Sequence, residues 1–174
     1  VAHVTMLGRC GILTEDEAFA FRGRNRRPPL DRCNAMLSFA YTLLTNDCIS
    51  AAESTGLDPC MGLLHGIRPG KPSLALDLME EFRPVMADRL VLRLINLRMV
   101  APEMFRSLEK GGIYLDEAGK KVFLREWSRM KQREVRVPDM EKDVPIGLLP
   151  YLQAQRLARC IRGEDETFHT VDWR

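Results

Sequence analysis

The sequence predicts a mainly α domain: several helices and one short β-hairpin. Three observations carry that expectation. Apolar residues recur at helical spacing over long stretches, from Asp31 to Thr55 and again after Ser73. Glycine and proline cluster between those stretches and punctuate them. Only Phe105 to Leu115 carries two short runs around a Gly-Gly turn, as a hairpin does. The 174 residues, 45% of them hydrophobic, suffice for a real core and about one domain.

In chain order, Val1 to Leu13 reads as a short helix. Thr14 and Glu17 have the spacing of a capping box. Arg22 to Pro29 holds one glycine and two prolines, so regular structure stops there. From Asp31 to Thr55 apolar side chains cover most of the circumference, with a polar stripe through Asn34, Ser38, Thr42 and Thr45. Such a helix belongs inside a domain. Gly56 is its C-cap and Pro59 follows. A Gly- and Pro-rich connector, Cys60 to Pro72, leads to a helix that Ser73 can cap. Its buried face is Leu74, Leu78 and Phe82. Pro84 kinks or restarts it toward Leu97, with Leu90, Leu94 and Leu97 on one stripe. Asp116 can cap the next helix, whose apolar stripe is Phe123, Trp127 and Met130 and which Pro138 stops. Ile146 to Arg162 is the last helix, with Leu148, Leu152, Leu157 and Ile161 as its buried candidates. Gly163 closes it, and an acidic, frayed tail runs from residue 164 to 174.

Net charge is only +2 and names no partner. The basic residues are mostly arginine, 20 against 6 lysines, and the planar guanidinium suits phosphate oxygens. Five arginines and one aspartate fall between Arg22 and Arg32. Seven positive and two negative residues fall between Lys120 and Arg136. Each is a solvated surface or a phosphate contact. The longest stretch without a charge, Cys33 to Asn46, is too short to span a bilayer. No basic-then-apolar leader opens the chain, and it does not begin with Met, so a piece of a longer, cytoplasmic polypeptide is expected. Five cysteines without CxxC spacing argue for reduced thiols, against a disulfide framework or zinc knuckle. A Walker loop, a GxGxxG and a nucleophile elbow are all missing.

Asp77 and Glu80 lie three apart on one helix and leave the same face. Two carboxylates so placed share a divalent cation, or else form a solvated face. His65 stands in the connector leading into that helix. Imidazole plus carboxylates suit Mg²⁺ or Mn²⁺ better than structural Zn²⁺, and such a cation beside arginines points to phosphodiester chemistry. Glu81 is a neighbour of the pair. Asp47, inside the central helix, is either a further approaching acid or a paired structural one.

Arg24-Asn-Arg-Arg-Pro-Pro-Leu-Asp31 and Asn34 to Leu44 resemble the CRISPR-associated integrase, the nuclease subunit of spacer acquisition. So do Gly56-Leu-Asp-Pro59, Gly62-Leu-Leu-His65, Pro72 to Pro84, Val144 to Ala154 and Ala158 to Gly163, in one continuous order. The resemblance implies that residues 1–174 are the C-terminal helical catalytic domain of a prokaryotic cytoplasmic protein, with the family's N-terminal β-sandwich outside this chain. It implies metal-dependent DNA cleavage and transesterification, in which a 3′-hydroxyl of captured DNA attacks a phosphodiester at the repeat boundary. It places catalytic and metal-binding roles on His65 and Asp77, with Mg²⁺ or Mn²⁺ as cofactor, and Glu80, the second acid of that helix a turn further on, is assigned to the same catalytic and metal-binding set. The family's remaining ligand, a Glu in a Glu-Gly pair, falls just before Val1; Glu15 and Glu17 come too late to replace it. Without that Glu the 174 residues are expected to fold and to show little activity. Arg68 matches a basic position near the family's site, with Arg24, Arg26 and Arg27 as further DNA contacts. The implied partners are spacer-precursor and repeat DNA, a second copy of the chain, a small ferredoxin-like adaptation subunit and a RecB-like nuclease, with no membrane. The alternative is a non-catalytic helical module that binds DNA or protein.

Overall fold

The computed structural model describes residues 17–66, 68–108, 111–137 and 143–171. Five α-helices are formed among them: α1 (Arg32–Ser54), α2 (Ser73–Phe82), α3 (Arg89–Asn96), α4 (Glu117–Lys131) and α5 (Leu149–Ile161). Two antiparallel ladders accompany them: β1 (Phe105–Ser107) with β2 (Ile113–Leu115), and β3 (Glu134–Val135) with β4 (Val144–Pro145). The mainly α class and the 105–115 hairpin agree with the sequence. The expected first helix, the Thr14 side of the capping box and Pro138 lie outside the described residues. The chain divides into two compact units: Val1–Tyr41 with Ala87–Ser128, and Thr42–Met86 with Arg129–Arg174.

In the first unit, Asp31 starts α1 by accepting the Asn34 amide at 2.7 Å, an N-cap bond. The fully buried Asn34 side chain then ties the preceding arm to the helix. It donates to the Gly23 carbonyl at 2.8 Å and accepts the Asn25 amide at 3.1 Å. Met36, Leu37, Ala40, Val91, Leu94, Ile95, Leu115 and Phe123 are buried in this unit's core. Phe39 meets Phe123 edge-on at 5.2 Å. The hairpin pairs Phe105 with Leu115, Arg106 with Tyr114 and Ser107 with Ile113. Asp116 caps α4 through the Gly119 amide at 2.7 Å, as the sequence indicates. Cys33 is buried here, and desolvation above all pushes its thiol up to about 12.

In the second unit, Leu44, Cys48, Ala51 and Ala52 of α1 join Leu74, Leu78, Met79 and Phe82 of α2 and Leu149, Ala154, Leu157 and Ala158 of α5 as buried residues. Cys48 is fully buried and its thiol is likewise pushed up to about 12, mainly by desolvation. Both expected glycine C-caps are present. Gly56 has φ +78° and Gly163 φ +74°, and the next amides reach back to Ala52 and Arg159 carbonyls at 2.9 and 3.0 Å. After α2 the backbone widens into a π-helical segment, Arg83–Asp88, around Pro84. Proline's missing N–H cannot close an α-helical bond, so the chain loosens locally instead of ending. Asp47 is paired with Lys131 at 2.7 Å.

Four details differ from the sequence reading. Leu97, just past the end of α3, is exposed, and so are Leu148 and Ile161, since α5 buries Leu149 and Leu157 together with a polar residue, Gln153. The β3–β4 ladder, two residues per strand, is too short to give an alternating pattern. Ser73 does not cap α2: it is the first helical residue, and its hydroxyl donates to the Gly66 carbonyl at 3.0 Å. As far as Val171, the last described residue, the tail is anchored rather than frayed, since Val171 is buried.

Candidate functional site: a clamped histidine at the start of α2

Within the second unit, the Pro59 carbonyl accepts the amides of Leu74 at 2.9 Å and Ala75 at 3.3 Å, satisfying two orphan donors at the start of α2. The connector is thereby fastened across the helix N-terminus. Gly62 makes the close approach possible. A Cβ there would stand 2.5 Å from both the His65 carbonyl oxygen and the Ser73 Cβ. Ser73 is fully buried and cannot yield that space.

Asp77 holds the connector from the helix side. Its Oδ2 accepts the amides of Leu63 at 2.7 Å and Leu64 at 2.9 Å; its Oδ1 accepts the His65 amide at 3.1 Å. The His65 ring also donates from Nδ1 to Asp77 Oδ1. The Asp77 side chain is 7% exposed and that of His65 35%. With Nδ1–H engaged by a carboxylate, which can only accept, neutral His65 carries its lone pair on Nε2. The ring is therefore fixed in rotation and in tautomer. Leu64, beside it, is 87% exposed, because its backbone and not its side chain makes the attachment.

Burial acts to raise the Asp77 carboxyl, but the Leu64 amide, the His65 ring and the Leu63 and His65 amides outweigh it. The group ends below its ordinary value. The unfolded chain thus binds more protons than the folded one between those two values, so stability rises with pH there. The contribution is fully present above the ordinary carboxylate value of about 3.9 and is lost as pH falls through the lower native one. We expect the stability difference between wild type and Asp77→Asn, followed by urea unfolding at stepped pH, to hold from neutrality to about pH 5 and to shrink only below about pH 4. A difference already lost at pH 6 contradicts this.

Glu80 stands one turn further along α2. Its two oxygens take Arg83 Nη1 at 2.6 and 2.7 Å, a half-exposed i,i+3 pair. The structure thus brings His65 and Asp77 together and leaves Glu80 with Arg83. Among the described residues no three His, Cys, Asp or Glu side chains are grouped as a cation cage. Glu81 points elsewhere, accepting the Val171 amide and Gln153 Nε2. Burial pushes its carboxyl up in spite of those bonds.

The basic candidates separate by environment. Arg24 is turned inward: it donates to Asn34 at 2.7 Å and to Ser38 at 3.1 Å and lies 5.2 Å from the Tyr41 ring centre. Arg26, Arg27 and Arg68 are exposed. Gly62 and Ser73 are the site residues that sequence reasoning missed. The sign available for Gly62 was a lone glycine three residues before a histidine.

Residues 9–129 match the model of the family described as CRISPR associated protein Cas1. The chain belongs to the Cas1 family. A relative from Rhodospirillum rubrum, named CRISPR-associated endonuclease Cas1 2, is 54% identical over 163 residues, 94% of this chain and 47% of the relative. A Cas4/Cas1 fusion, named as exonuclease and endonuclease, from Geobacter sulfurreducens is 42% identical over 86% of this chain and 27% of its own length. Among solved structures, a casposase bound to integration product superposes with TM-score 0.83 at 28% identity, covering 91% of this chain and 44% of that one. A Cas6-RT-Cas1–Cas2 complex contains a chain that superposes with TM-score 0.77 at 25% identity, covering 92% of this chain and 17% of that one. The chain spans about half the length of curated Cas1 relatives from Rhodospirillum rubrum, Moorella thermoacetica and Chlorobaculum tepidum. No helix among the described residues is long and apolar enough to cross a membrane.

Proposed function

We propose that this chain is the cation-binding, DNA-handling part of a CRISPR spacer-acquisition nuclease and integrase. The observation that carries the reading is the clamp on His65: buried Asp77 spends both oxygens on the connector and the ring, leaving Nε2 available. Metal-ligating histidines are commonly held this way, by a carboxylate on the other ring nitrogen. The donor chemistry fits Mg²⁺ or Mn²⁺ in part. His65 Nε2 and the Glu80 carboxylate are the donors this chain offers, Asp77 is the positioning residue, and further donors come from water, substrate or elsewhere in the protein.

When bound, the cation supplies charge stabilisation at the phosphoryl oxygen. In the proposed reaction a 3′-hydroxyl oxygen forms the new P–O bond and gives its proton to solvent or a nearby base, while the bond from phosphorus to the leaving 3′-oxygen breaks and that oxygen takes up a proton from solvent to become the new 3′-hydroxyl. No ATP is consumed, because one phosphodiester replaces another. Arg68, Arg26 and Arg27 are assigned to phosphate contact. Relatives that are fused to Cas4, and a neighbour complexed with Cas2, support a RecB-like nuclease and the small adaptation subunit as partners, alongside a second copy of the chain.

The lack of a three-donor cage among the described residues favours a second reading, a non-catalytic helical DNA-binding module. Nicking and strand joining on branched DNA by the full-length protein in Mn²⁺ separates the two. His65→Ala and Glu80→Ala are each expected to lose about 100-fold or more. Activity of both variants equal to wild type rejects the cation reading.

A further inference from the structure

The acidic segment after α5 lies against Arg159 of that helix and Arg162, the residue that follows it. Arg159 meets Asp165 at 2.8 Å and Glu164 at 3.9 Å; Arg162 meets Glu164 at 3.6 Å. Both arginine side chains are more than half exposed, 55% and 57%. Ion pairs so open to water contribute little to stability. The tail is held in place by other, buried groups. Gln153, fully buried, donates to the His169 carbonyl at 2.7 Å, and Glu81 accepts the amide of buried Val171. Position and charge pairing are therefore separate properties of this tail.

Arg156 and Arg159 on α5 and Arg162 just past its end stand at three-residue spacing, and Glu164, Asp165 and Glu166 follow after Gly163. A cavity of about 430 Å³ lies between helix and tail, lined by Arg156, Arg159, Glu164, Asp165, Thr167 and His169 among others. Guanidinium groups that hold carboxylates in water hold phosphate oxygens at least as well, in the same forked geometry.

We propose that Arg159 and Arg162, at the C-terminal end of α5, form a contact surface for a nucleic-acid backbone, and that Glu164 and Asp165, with Glu166 beside them at the cavity, occupy it as a built-in substitute for phosphates. The inference rests on the DNA-handling reading above and adds to it a second surface. The acids set a threshold: a weakly held or short nucleic acid does not displace them, and a polyanion that engages elsewhere on the protein does. Displacing the three pairs frees two arginines, each for one phosphate.

The test is a salt titration of duplex DNA affinity, by fluorescence anisotropy, with this chain in its natural full-length form. The variant Glu164→Gln/Asp165→Asn/Glu166→Gln removes the substitute and keeps the buried anchors. It is expected to bind about tenfold tighter at low salt, with the slope of log affinity against log salt steeper by about two, one per freed arginine. A control of equal charge change, Glu17→Gln/Glu53→Gln/Glu103→Gln, at exposed acids away from these arginines, is expected to leave the slope unchanged. Adding Arg159→Gln/Arg162→Gln to the first variant is expected to return both affinity and slope to wild type. The proposal is overturned if the two triple variants behave alike, or if the arginine substitutions have no effect in the acid-neutralised background. If neither wild type nor any variant binds DNA, the DNA-handling reading falls and this surface falls with it.

Discussion

Asp77→Ala is expected to cost the protein both its activity and part of its stability. The carboxylate accepts three connector amides and the His65 ring. Its removal leaves the connector without its attachment to α2 and lets the imidazole rotate. Loss of a carboxylate behind a metal-binding histidine costs about 10–100-fold, and here the same group also shapes the loop, so about 100-fold is expected. Bonds to a charged acceptor are worth about 1.5–3 kcal/mol each, but the freed Leu63 and Leu64 amides are exposed and can turn to water. A net loss of about 2 kcal/mol is expected on urea unfolding. Glu80→Ala gives the contrast: its pair with Arg83 is half exposed, so stability changes by less than about 0.5 kcal/mol while nicking is lost. If Asp77→Ala unfolds at the wild-type midpoint, the amides are held by something else and the assignment fails.

Gly62→Ala is the second large effect. The added methyl meets a carbonyl oxygen and a buried side chain, each at 2.5 Å, so the connector must move away from α2. Overpacking of this kind costs about 1–3 kcal/mol, and the displacement carries His65 with it. We expect a loss of about 2 kcal/mol together with a nicking rate reduced about tenfold or more. A variant with wild-type stability and wild-type Mn²⁺ dependence shows that the connector has slack at this point.

The contrast between these residues indicates what was legible in the sequence. The spans of α1 and α2, the glycine caps at Gly56 and Gly163 and the hairpin follow from apolar spacing and from backbone demands that only certain residues meet. The nearness of His65 to Asp77 is expected from helical phase and the family resemblance; the departure of Glu80 to Arg83 is not. Which oxygen binds which group was not legible. Asp77 is claimed by backbone amides of Leu63 and Leu64, and an amide's need for an acceptor leaves no mark on its residue's identity. The phase of α5 was obscured for a related reason: Gln153 reads as a surface residue, yet it is buried by its bonds to His169 and Glu81. Arg24 reads as a phosphate contact among its neighbours, but the Asn34, Ser38 and Tyr41 side chains that claim it lie on α1, beyond the arm that carries it.

The two thiols of α1 have a consequence of their own. Cys33 belongs to the first compact unit and Cys48 to the second, and both are buried and protonated far above neutral pH. A thiol in that condition is inert to alkylating and oxidising reagents, because the thiolate is the reacting species. Each reacts only when its own surroundings open to water. One helix therefore supplies a separate clock for each unit: the modification rate at Cys33 times the opening of one, and that at Cys48 the opening of the other. Partial denaturation that frees one thiol ahead of the other reveals whether the two units come apart together or in sequence.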